Sequence, residues 1–469
     1  MRWLALLLLW CIFESAAWAA CTGSSPTWTS TPDYASVSTC ITNASRGDTV
    51  SVSAGAASWN TQLSLSKGVK LIGSGSGSTI ITFTAALSPA INIVPDATAI
   101  ANEEVIRLSG FTFDGTNTVT QFINVRGASP SGTKPWRYLI IDHNKFANQG
   151  GGTPDPAIYV LGGQTRGVIY LNIFDRCDMI LRPHGANTFT EWTNSAYNNF
   201  SYGSADQLFF EDNTILWSSP YTNAGNTGMI QGEQGGRAVV RYNHWDPTNL
   251  SSQTDFSDTH GFQGFPGNGQ TGEMIVEYYG NTLTAPSGPQ IFQLFNHRGS
   301  QGMYHNNVFT GSSTPIISAN QYPGGCNAAV GNGDGTLYNG EINNTYVFNN
   351  SVNGTISGMV VGPNNACGDV ENTNWWNYNA ACTSSSCSAG IGTGTTPPTG
   401  TCTTGVGYWV ASTPTPTPSS AVIQSAHFYK CTSPNTWTLY YTPYTYPHPL
   451  RTGSSSSVFP PSNLAATVQ

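Results

Sequence analysis

The chain has 469 residues, of which only 9% are charged, and its formal net charge is -8. This acidic balance argues against nucleic acid or an anionic lipid surface as a partner. Aromatic residues make up 12% and there are 51 glycines, so the composition does not fit a disordered chain and favours turn-rich, all-β structure.

The N-terminus has the pattern of a secretory signal peptide. A basic Arg2 precedes an apolar run over 3–13, and Ala17-Trp18-Ala19 forms a small-residue cleavage site. The run is too short to span a bilayer, and no later segment predicts a membrane span. A lipid anchor on Cys21 is the alternative, but Trp18 stands where lipoprotein signals usually carry Leu. We therefore expect an extracellular or cell-surface protein.

Nine cysteines follow the predicted signal, and export permits disulfides. We expect Cys21 and Cys40 to form a disulfide in the N-terminal segment. We expect the five cysteines from Cys367 to Cys431 to form disulfides in the C-terminal part. The pairing within the second group stays open. Metal binding by cysteine is the weaker interpretation because no paired CxxC spacing occurs.

One short pattern, an apolar run followed by Asn, recurs seven times. Successive copies lie roughly 25 to 45 residues apart, a period typical of solenoids, and the unequal gaps predict loops inserted into a shorter coil. Similar short strands, such as "TIITF" and "FINVRG", precede the copies, and "YASVSTCITNAS" predicts one short helix. The repeated asparagines are Asn144, Asn172, Asn213, Asn243, Asn281, Asn307 and Asn350.

Two columns of residues follow from aligning the copies. Three residues before each Asn the side chain is apolar or aromatic, so this column is predicted to face the interior. The next column should face solvent, because side chains alternate along a strand. The asparagines themselves are expected to form a ladder. The interior column is Ile141, Ile169, Phe210, Val240, Tyr278, Tyr304 and Val347, and the predicted solvent column is Asp142, Tyr170, Glu211, Arg241, Tyr279, His305 and Phe348.

These patterns predict a parallel β-solenoid, in which each coil buries its apolar face by stacking on the next. An antiparallel sandwich or propeller is the alternative, but hairpin turns are scarce between the copies and the period is uneven. The predicted organisation is a signal peptide over 1–20, a parallel β-helix over 21–382, a Ser/Thr/Gly/Pro-rich connection over 383–420, aromatic cap strands over 421–452 and a tail or linker over 453–469.

Several stretches, among them "RGDTVSVSAG", "GGRAVVRYNHW", "DTHGFQG" and "FNHRGSQGMYHNNVF", resemble secreted bacterial proteins of the pectate-lyase-like superfamily over roughly 40–452. The resemblance implies a right-handed parallel β-helix with a loop-rich, disulfide-containing C-terminal cap. For activity it is less specific, because the superfamily includes polysaccharide lyases, hydrolases, epimerases and adhesins without chemistry.

A lyase acting on a uronic-acid glycan needs a base for the C5 proton and a cation, Ca²⁺ or Arg, to neutralise the carboxylate. The resemblance implies Arg or Lys as the base and carboxylates as Ca²⁺ ligands. We predict that residues from the middle coils share one groove. The catalytic candidates are Arg241, His260 and Arg298, the substrate-binding candidates are Glu211, Tyr279, Arg237 and His297, and the Ca²⁺ candidates are Asp255, Asp258 and Glu277.

Each candidate has a structural alternative. The "DFSDTH" stretch, with His260, is either a base between two Ca²⁺ ligands or a polar turn. Arg298 either clamps a carboxylate or forms a structural ion pair. Arg182 and His184, in "ILRPHG", are expected to have a structural role, and Glu233 in "GEQGG" lies in a turn near the groove.

The sequence favours a secreted protein that cleaves an acidic polysaccharide by β-elimination. A non-catalytic extracellular protein, either glycan-binding or structural, is the alternative, and a glycoside hydrolase is the second. No particular oligomeric state is predicted.

Overall fold

Successive segments of the chain stack as coils of a parallel β-helix in the computed structural model. The structure describes residues 20–127, 136–150, 155–161, 165–184, 201–221, 229–233, 235–250, 254–261, 272–285, 291–321, 342–363 and 365–451. The predicted signal peptide lies outside the described residues except for Ala20, and so does the predicted tail.

The N-terminal end of the solenoid is closed by a hairpin and a helix. Strand β1 (Cys21–Ser24) pairs antiparallel with β2 (Thr27–Ser30), and α1 (Tyr34–Asn43) follows. Asp33 caps α1 by accepting a hydrogen bond from the Ser36 backbone N–H at 2.9 Å. The predicted helix and the predicted Cys21–Cys40 disulfide are both confirmed.

Each coil contributes three short strands. The first five coils comprise β3 (Thr49–Val52), β4 (Gly55–Trp59) and β5 (Leu63–Leu65); β6 (Lys70–Gly73), β7 (Thr79–Phe83) and β8 (Ile91–Ile93), followed by α2 (Ala97–Ala101); β9 (Ile106–Ser109), β10 (Thr112–Asp114) and β11 (Ile123–Arg126); β12 (Trp136–Asp142), β13 (Lys145–Ala147) and β14 (Pro156–Leu161); β15 (Thr165–Tyr170), β16 (Ile173–Asp175) and β17 (Met179–Pro183).

The next five comprise β18 (Leu208–Glu211), β19 (Thr214–Leu216) and β20 (Ile230–Gly232); β21 (Arg237–Arg241), β22 (His244–Asp246) and β23 (Thr254–Thr259); β24 (Ile275–Tyr279), β25 (Thr282–Ala285) and β26 (Ile291–His297); β27 (Gln301–His305), β28 (Val308–Gly311) and β29 (Ile316–Ala319); β30 (Thr345–Phe348), β31 (Asn350–Val352), β32 (Thr355–Ser357) and β33 (Met359–Val361).

The strands form three long sheets that run the length of the solenoid. In the described part of the chain, sheet A has 13 strands and includes the first strand of every coil, sheet B has 11 and sheet C has 10. Coil neighbours pair in parallel throughout, as in β15 with β18 and β17 with β20. The predicted parallel β-helix is therefore confirmed, and the antiparallel alternatives do not apply.

The interior column is buried as predicted. Its seven members have no exposed surface and belong to one apolar core that fills the solenoid. Aromatic side chains also stack from coil to coil beneath sheet B, where Phe146 lies 5.7 Å from Phe113 and 5.2 Å from Phe174 between ring centroids. A single coil could not bury these faces, so stacking supplies the hydrophobic stabilisation.

The asparagine ladder is confirmed at the corner between sheets A and B. The Asn213 backbone N–H and Nδ2 donate to Asn243 Oδ1 at 2.9 and 3.1 Å, and Asn243 donates in the same way to Asn281. The residue before each ladder Asn has a positive φ, even where it is Leu171 or Tyr242. This conformation is unfavourable for large side chains, and the ladder's hydrogen bonds offset its cost.

The prediction that the second column is exposed to solvent was wrong. Its side chains do point away from the interior, but all seven are buried, because the C-terminal part of the chain covers the outer face of sheet A. We call residues 386–451 the C-terminal cover. Its elements follow β34 (Trp375–Asn377) and are β35 (Ser386–Cys387), β36 (Ile391–Gly394), β37 (Thr401–Cys402), β38 (Gly407–Val410), α3 (Ser420–Gln424), β39 (His427–Ser433), β40 (Thr436–Tyr441) and a 3-10 turn (Pro449–Arg451).

Aromatic packing and disulfides hold the cover together. Phe428 packs on Tyr346 and Phe348 of sheet A at centroid distances of 4.8 and 5.4 Å. Disulfides join Cys382 to Cys387 and Cys402 to Cys431. Strands β35 to β38 lie within the Ser/Thr/Gly/Pro-rich segment 383–420, so this segment contains ordered sheet structure. Among the described residues no helix has the length and apolarity needed to cross a bilayer.

The ladder yields a stability prediction. Replacing Asn243 with Ala removes the acceptor for two buried N–H donors of Asn213 and the donor to the Phe210 carbonyl. Each buried polar group left without a partner costs about 1–3 kcal/mol, so we expect the free energy of unfolding to fall by about 3 kcal/mol in urea titration. The exposed Asn60→Ala change is the matched control. Equal stability of the two variants would contradict the role of the ladder.

Candidate functional site

The connections between strands vary in length on the two sides of sheet C, whereas those at the ladder corner do not. Two residues separate sheet A from sheet B in most coils, whereas the connection from β17 to β18 spans 184–207 and that from β29 to β30 spans 320–344. On the other side of sheet C, the connection from β19 to β20 spans 217–229. The outer face of sheet C is thus the face flanked by variable loops, where function usually resides.

Polar side chains occupy this outer face in the middle coils. Tyr159 of β14 pairs with Arg182 of β17, and Asp258 of β23 pairs with Gln231 of β20 and with Asn296 of β26. The neighbours of these residues along each strand, such as Ile158 and Leu181, lie in the apolar core. We define the sheet C cluster as Tyr159, Arg182, His184, Glu233, Asp258, His260 and Arg298.

One half of the sheet C cluster is a chain of three groups. Tyr159 Oη lies 2.8 Å from His184 Nδ1, and His184 Nε2 lies 2.8 Å from Glu233 Oε2. Arg182 Nη2 donates to Glu233 Oε1 at 2.6 Å. Burial acts to raise the pKa of Glu233, but the hydrogen bond from His184 and the charges of His260 and Arg182 lower it to about 2. Glu233 is therefore a carboxylate that orients His184 toward Tyr159.

The second half is centred on Asp258. Arg298 Nε donates to Asp258 Oδ1 at 2.7 Å and Nη2 bonds Oδ2, while His260 Nε2 lies 2.9 Å from Oδ2. Burial acts to raise the pKa of Asp258, but His260 and Arg298 lower it to about 2. His260 Nδ1 lies 3.3 Å from Glu233 Oε1, so Glu233 joins the two halves into one network.

The sheet C cluster is enclosed but not sealed. The side chains of Arg182, Glu233 and His260 retain 24%, 14% and 12% of their exposure. Asp255, at the start of β23, has its pKa raised to about 7 by burial and by the charge of Asp258. Of the two carboxyl groups on this strand, Asp255 therefore keeps its proton to a much higher pH than Asp258.

Four predicted site residues lie instead on sheet A beneath the C-terminal cover. Arg241 Nε donates to Glu211 Oε2 at 2.7 Å and Nη1 donates to Tyr279 Oη at 2.9 Å. The same guanidinium also donates to the backbone carbonyls of Tyr444 and Thr445 at 2.6 and 2.9 Å. Glu211, Arg241 and Tyr279 were predicted to share a groove with His260 and Arg298, but they face the cover on a different side of the solenoid. Glu277, the fourth, lies beside them.

Two further candidates are also away from sheet C's outer face. Arg237 lies on β21 of sheet A, where burial lowers its pKa to about 10 despite the charge of Asp206. His297 points into the solenoid, with Nδ1 2.8 Å from Tyr304 Oη and Nε2 3.1 Å from Thr345 Oγ1. Burial lowers the pKa of His297 to about 3, so this imidazole is a neutral part of the core.

The predicted Ca²⁺ ligands are not brought together. Asp255 and Asp258 lie on sheet C, whereas Glu277 lies on sheet A and accepts hydrogen bonds from the Gly203 backbone N–H and Gln207 Nε2, both at 2.7 Å. Both oxygens of Asp258 already bind Arg298. Across the described ranges no group of three or more His, Cys, Asp or Glu side chains is placed to hold a metal ion. These three residues do not fit one Ca²⁺ site.

Sequence reasoning missed Tyr159 and gave His184 a structural role. Tyr159 lies on the strand before the "ILRPHG" stretch, and its position beside His184 depends on the register between β14 and β17. The available signal was that "ILRPHG" and "IQGE" end strands of the same sheet, where His184 forms a parallel bridge with Glu233.

Comparison with known proteins finds similarity only among solved structures. No protein-family model matches the chain, and no curated protein matches it. The chain is similar to the A-module of a mannuronan C-5 epimerase from Azotobacter vinelandii, with 14% identity and a TM-score of 0.27, covering 70% of this chain and 92% of that one. It is also similar to DFA-IIIase from Arthrobacter chlorophenolicus without its lid, with 12% identity, a TM-score of 0.30 and coverage of 71% and 83%. We base no functional argument on likenesses of this strength.

The ion pair under the cover yields a second prediction. Replacing Arg241 with Met leaves the fully buried Glu211 without its closest cation, and breaking a buried pair in this way costs about 3–5 kcal/mol. We expect lower stability in urea and faster cleavage of the C-terminal cover in limited proteolysis. The Arg241→Met/Glu211→Gln double variant should recover much of the loss. Proteolysis of Arg241→Met at the wild-type rate would contradict this role.

Glu277 yields a prediction about pH. Burial raises its pKa to about 7, against hydrogen bonds from the Gly203 backbone and Gln207 and the charge of Arg241. An acid whose pKa is higher in the folded state destabilises that state as it ionises, so stability falls as pH rises from about 4.5 through about 7, by up to about 3 kcal/mol. Glu277→Gln should match wild type at about pH 4 and exceed it at about pH 8 in thermal unfolding. Parallel pH profiles for the two proteins would rule this out.

Proposed function

We propose that the protein is an exported enzyme that binds an acidic polysaccharide along the outer face of sheet C and cleaves it by β-elimination. The disulfides are of the kind that forms in exported proteins. The observation that carries the proposal is the Tyr159–His184–Glu233 chain, a hydroxyl held by an oriented imidazole in a partly open cluster of a charge-poor protein.

Cations lie on both sides of Tyr159. Arg182, on the next coil, has its Cζ 5.8 Å from the Tyr159 ring centroid. Arg126, on the previous coil, is exposed. Burial raises the pKa of the Tyr159 hydroxyl, and the charges of Arg182 and Arg126 act to lower it. Guanidinium groups bind carboxylates well, so a uronate unit between these two arginines would place its carboxylate and the adjacent C5 beside Tyr159.

In the proposed reaction Tyr159 acts as base and acid in turn. Its proton moves to His184 Nδ1. Burial lowers the pKa of this imidazole, and the hydrogen bond and charge of Glu233 oppose that shift and stabilise the imidazolium. The phenolate oxygen takes the C5 proton, the C4–C5 double bond forms and the C4–O4 bond breaks. Tyr159 gives that proton to the leaving O4 and regains its own from His184. One proton has moved from C5 to O4, and the enzyme is unchanged.

The remaining members of the sheet C cluster support this step. Arg298 carries positive charge next to Asp258, and His260 Nε2 lies beside the same carboxylate; we assign both residues to holding the next sugar unit. Arg298 and Gln231 also contact His260 Nε2, and Nδ1 lies near Glu233, so neither ring nitrogen is placed to act as the base. The chemistry assigned here uses no bound metal.

Glycoside hydrolysis is the second candidate, because one observation favours it. Asp255 and Asp258 have pKa values near 7 and near 2, and a protonated acid beside a carboxylate is the pairing that hydrolysis uses. The two reactions give different products. Elimination yields an unsaturated sugar that absorbs ultraviolet light, whereas hydrolysis yields new reducing ends without that absorbance.

The decisive experiment incubates the exported protein with uronic-acid polymers, with Ca²⁺ and with a chelator, and records ultraviolet absorbance and reducing ends together. Absorbance and reducing ends that rise together support elimination. Reducing ends without absorbance identify a hydrolase. Retention of the polymer without cleavage would identify a non-catalytic glycan-binding protein.

The role of Tyr159 yields a specific prediction. Tyr159→Phe removes the hydroxyl and should lower the rate of product formation about 100-fold or more, the usual contribution of acid–base catalysis. Tyr346→Phe is the matched control, because the Tyr346 hydroxyl is buried on sheet A and has no hydrogen-bond partner among the described residues. Full activity of Tyr159→Phe would exclude Tyr159 as the base.

A further inference from the structure

A group of buried polar side chains lies inside the solenoid, behind the sheet C cluster. Glu273, just before β24, is fully buried, and its carboxyl group lies against the inward side of Gly232. A Cβ at position 232 would come within 2.0 Å of the Glu273 carboxyl carbon. Glycine at position 232 therefore makes the space that this carboxyl group occupies.

Four buried polar atoms in this region have no hydrogen-bond partner among the described residues. They are both carboxyl oxygens of Glu273, Ser257 Oγ and Tyr278 Oη, and the Ser257 and Tyr278 hydroxyls lie close enough to act on each other. Buried polar groups in folded proteins are almost always paired, with protein or with ordered water. Leaving each of them unpaired costs about 1–3 kcal/mol, so four such atoms in one place require an explanation.

The strand register places these groups together. Ser257 pairs with Ile230, and Gly232 pairs with Thr259 two residues further along the same strands. Tyr278 stacks on Tyr304 at 5.5 Å between ring centroids. The Tyr304 hydroxyl bonds Thr259 Oγ1 at 3.2 Å and is therefore satisfied. The unpaired atoms thus belong to residues on or next to neighbouring strands of the seventh and eighth coils.

We propose that these groups enclose a pocket of ordered water that hydrogen-bonds to the Glu273 carboxyl group. Water supplies two donors and two acceptors, which matches a set of carboxyl and hydroxyl groups. Asp258 on β23 and Glu233 at the end of β20 lie close enough for their charges to act on the Glu273 carboxyl, and Tyr278 and Tyr304 are its other titratable neighbours. Burial and these two charges raise the pKa of Glu273 well above its usual range, so it lines the pocket as a neutral carboxylic acid.

Neutrality of Glu273 has a direct effect on the site in front of it. Asp258 and Glu233 are both held as carboxylates by the histidines and arginines of the sheet C cluster. A third negative charge behind them would compete for the same cations. The water site does not depend on the proposed reaction and is tested separately from it.

The test uses the wild-type protein first. A high-resolution crystal structure should show density within hydrogen-bonding distance of Glu273 and of Ser257 or Tyr278. Infrared spectroscopy should show a protonated carboxyl C=O band that disappears in Glu273→Gln. An empty pocket, an anomalous peak after rubidium soaking, or the absence of that band would each overturn the proposal.

A double-mutant cycle gives an independent check on the pocket. Gly232→Ala should lower the unfolding midpoint, because the new methyl group meets the Glu273 carboxyl. Glu273→Ala removes that contact together with two of the four unpaired atoms, so Gly232→Ala should cost less in the Glu273→Ala background. Equal costs in both backgrounds would show that the two residues do not share the pocket, whatever the activity of either variant.

Discussion

The asparagine ladder is the constraint on which the rest of the solenoid depends. Each ladder side chain satisfies backbone and side-chain donors of its neighbour, as Asn243 does for Asn213. An insertion at that corner would leave buried donors without partners, so additional chain length is accommodated on the other two corners. Those corners flank sheet C, which is why the polar and partly open sheet C cluster lies there.

The cover gives sheet A a different role from sheet C, although both carry charged side chains. Arg241 donates to groups on sheet A and to two carbonyls of the cover. Arg451 binds Glu211 at 2.8 Å, and Tyr446 binds Asp212 at 2.9 Å. The charges on sheet A thus hold the C-terminal cover in place, whereas those on sheet C face the loops and solvent.

Much of the fold could be predicted from the sequence because it depends on a short pattern that is repeated from coil to coil. The interior column, the ladder and the short upstream strands all depend on spacing within a coil. The burial of Glu211, Arg241 and Tyr279 could not be predicted, because the covering residues lie some 200 positions away and strand alternation does not report what packs on an outward face. Tyr159, His184 and Glu233 come together only through the register between coils, which the sequence within one coil does not specify. The inward direction of His297 could not be predicted either.

A constant two-residue corner also determines how the length of such a rod can change. Each ladder asparagine contacts only the coils immediately before and after it. Removal or duplication of one entire coil therefore recreates the same contacts at the new junction, whereas a partial coil does not. The rod grows in steps of about 4.8 Å, the distance between paired strands, so a ligand track along it gains or loses discrete positions while the local chemistry at each remaining position is preserved.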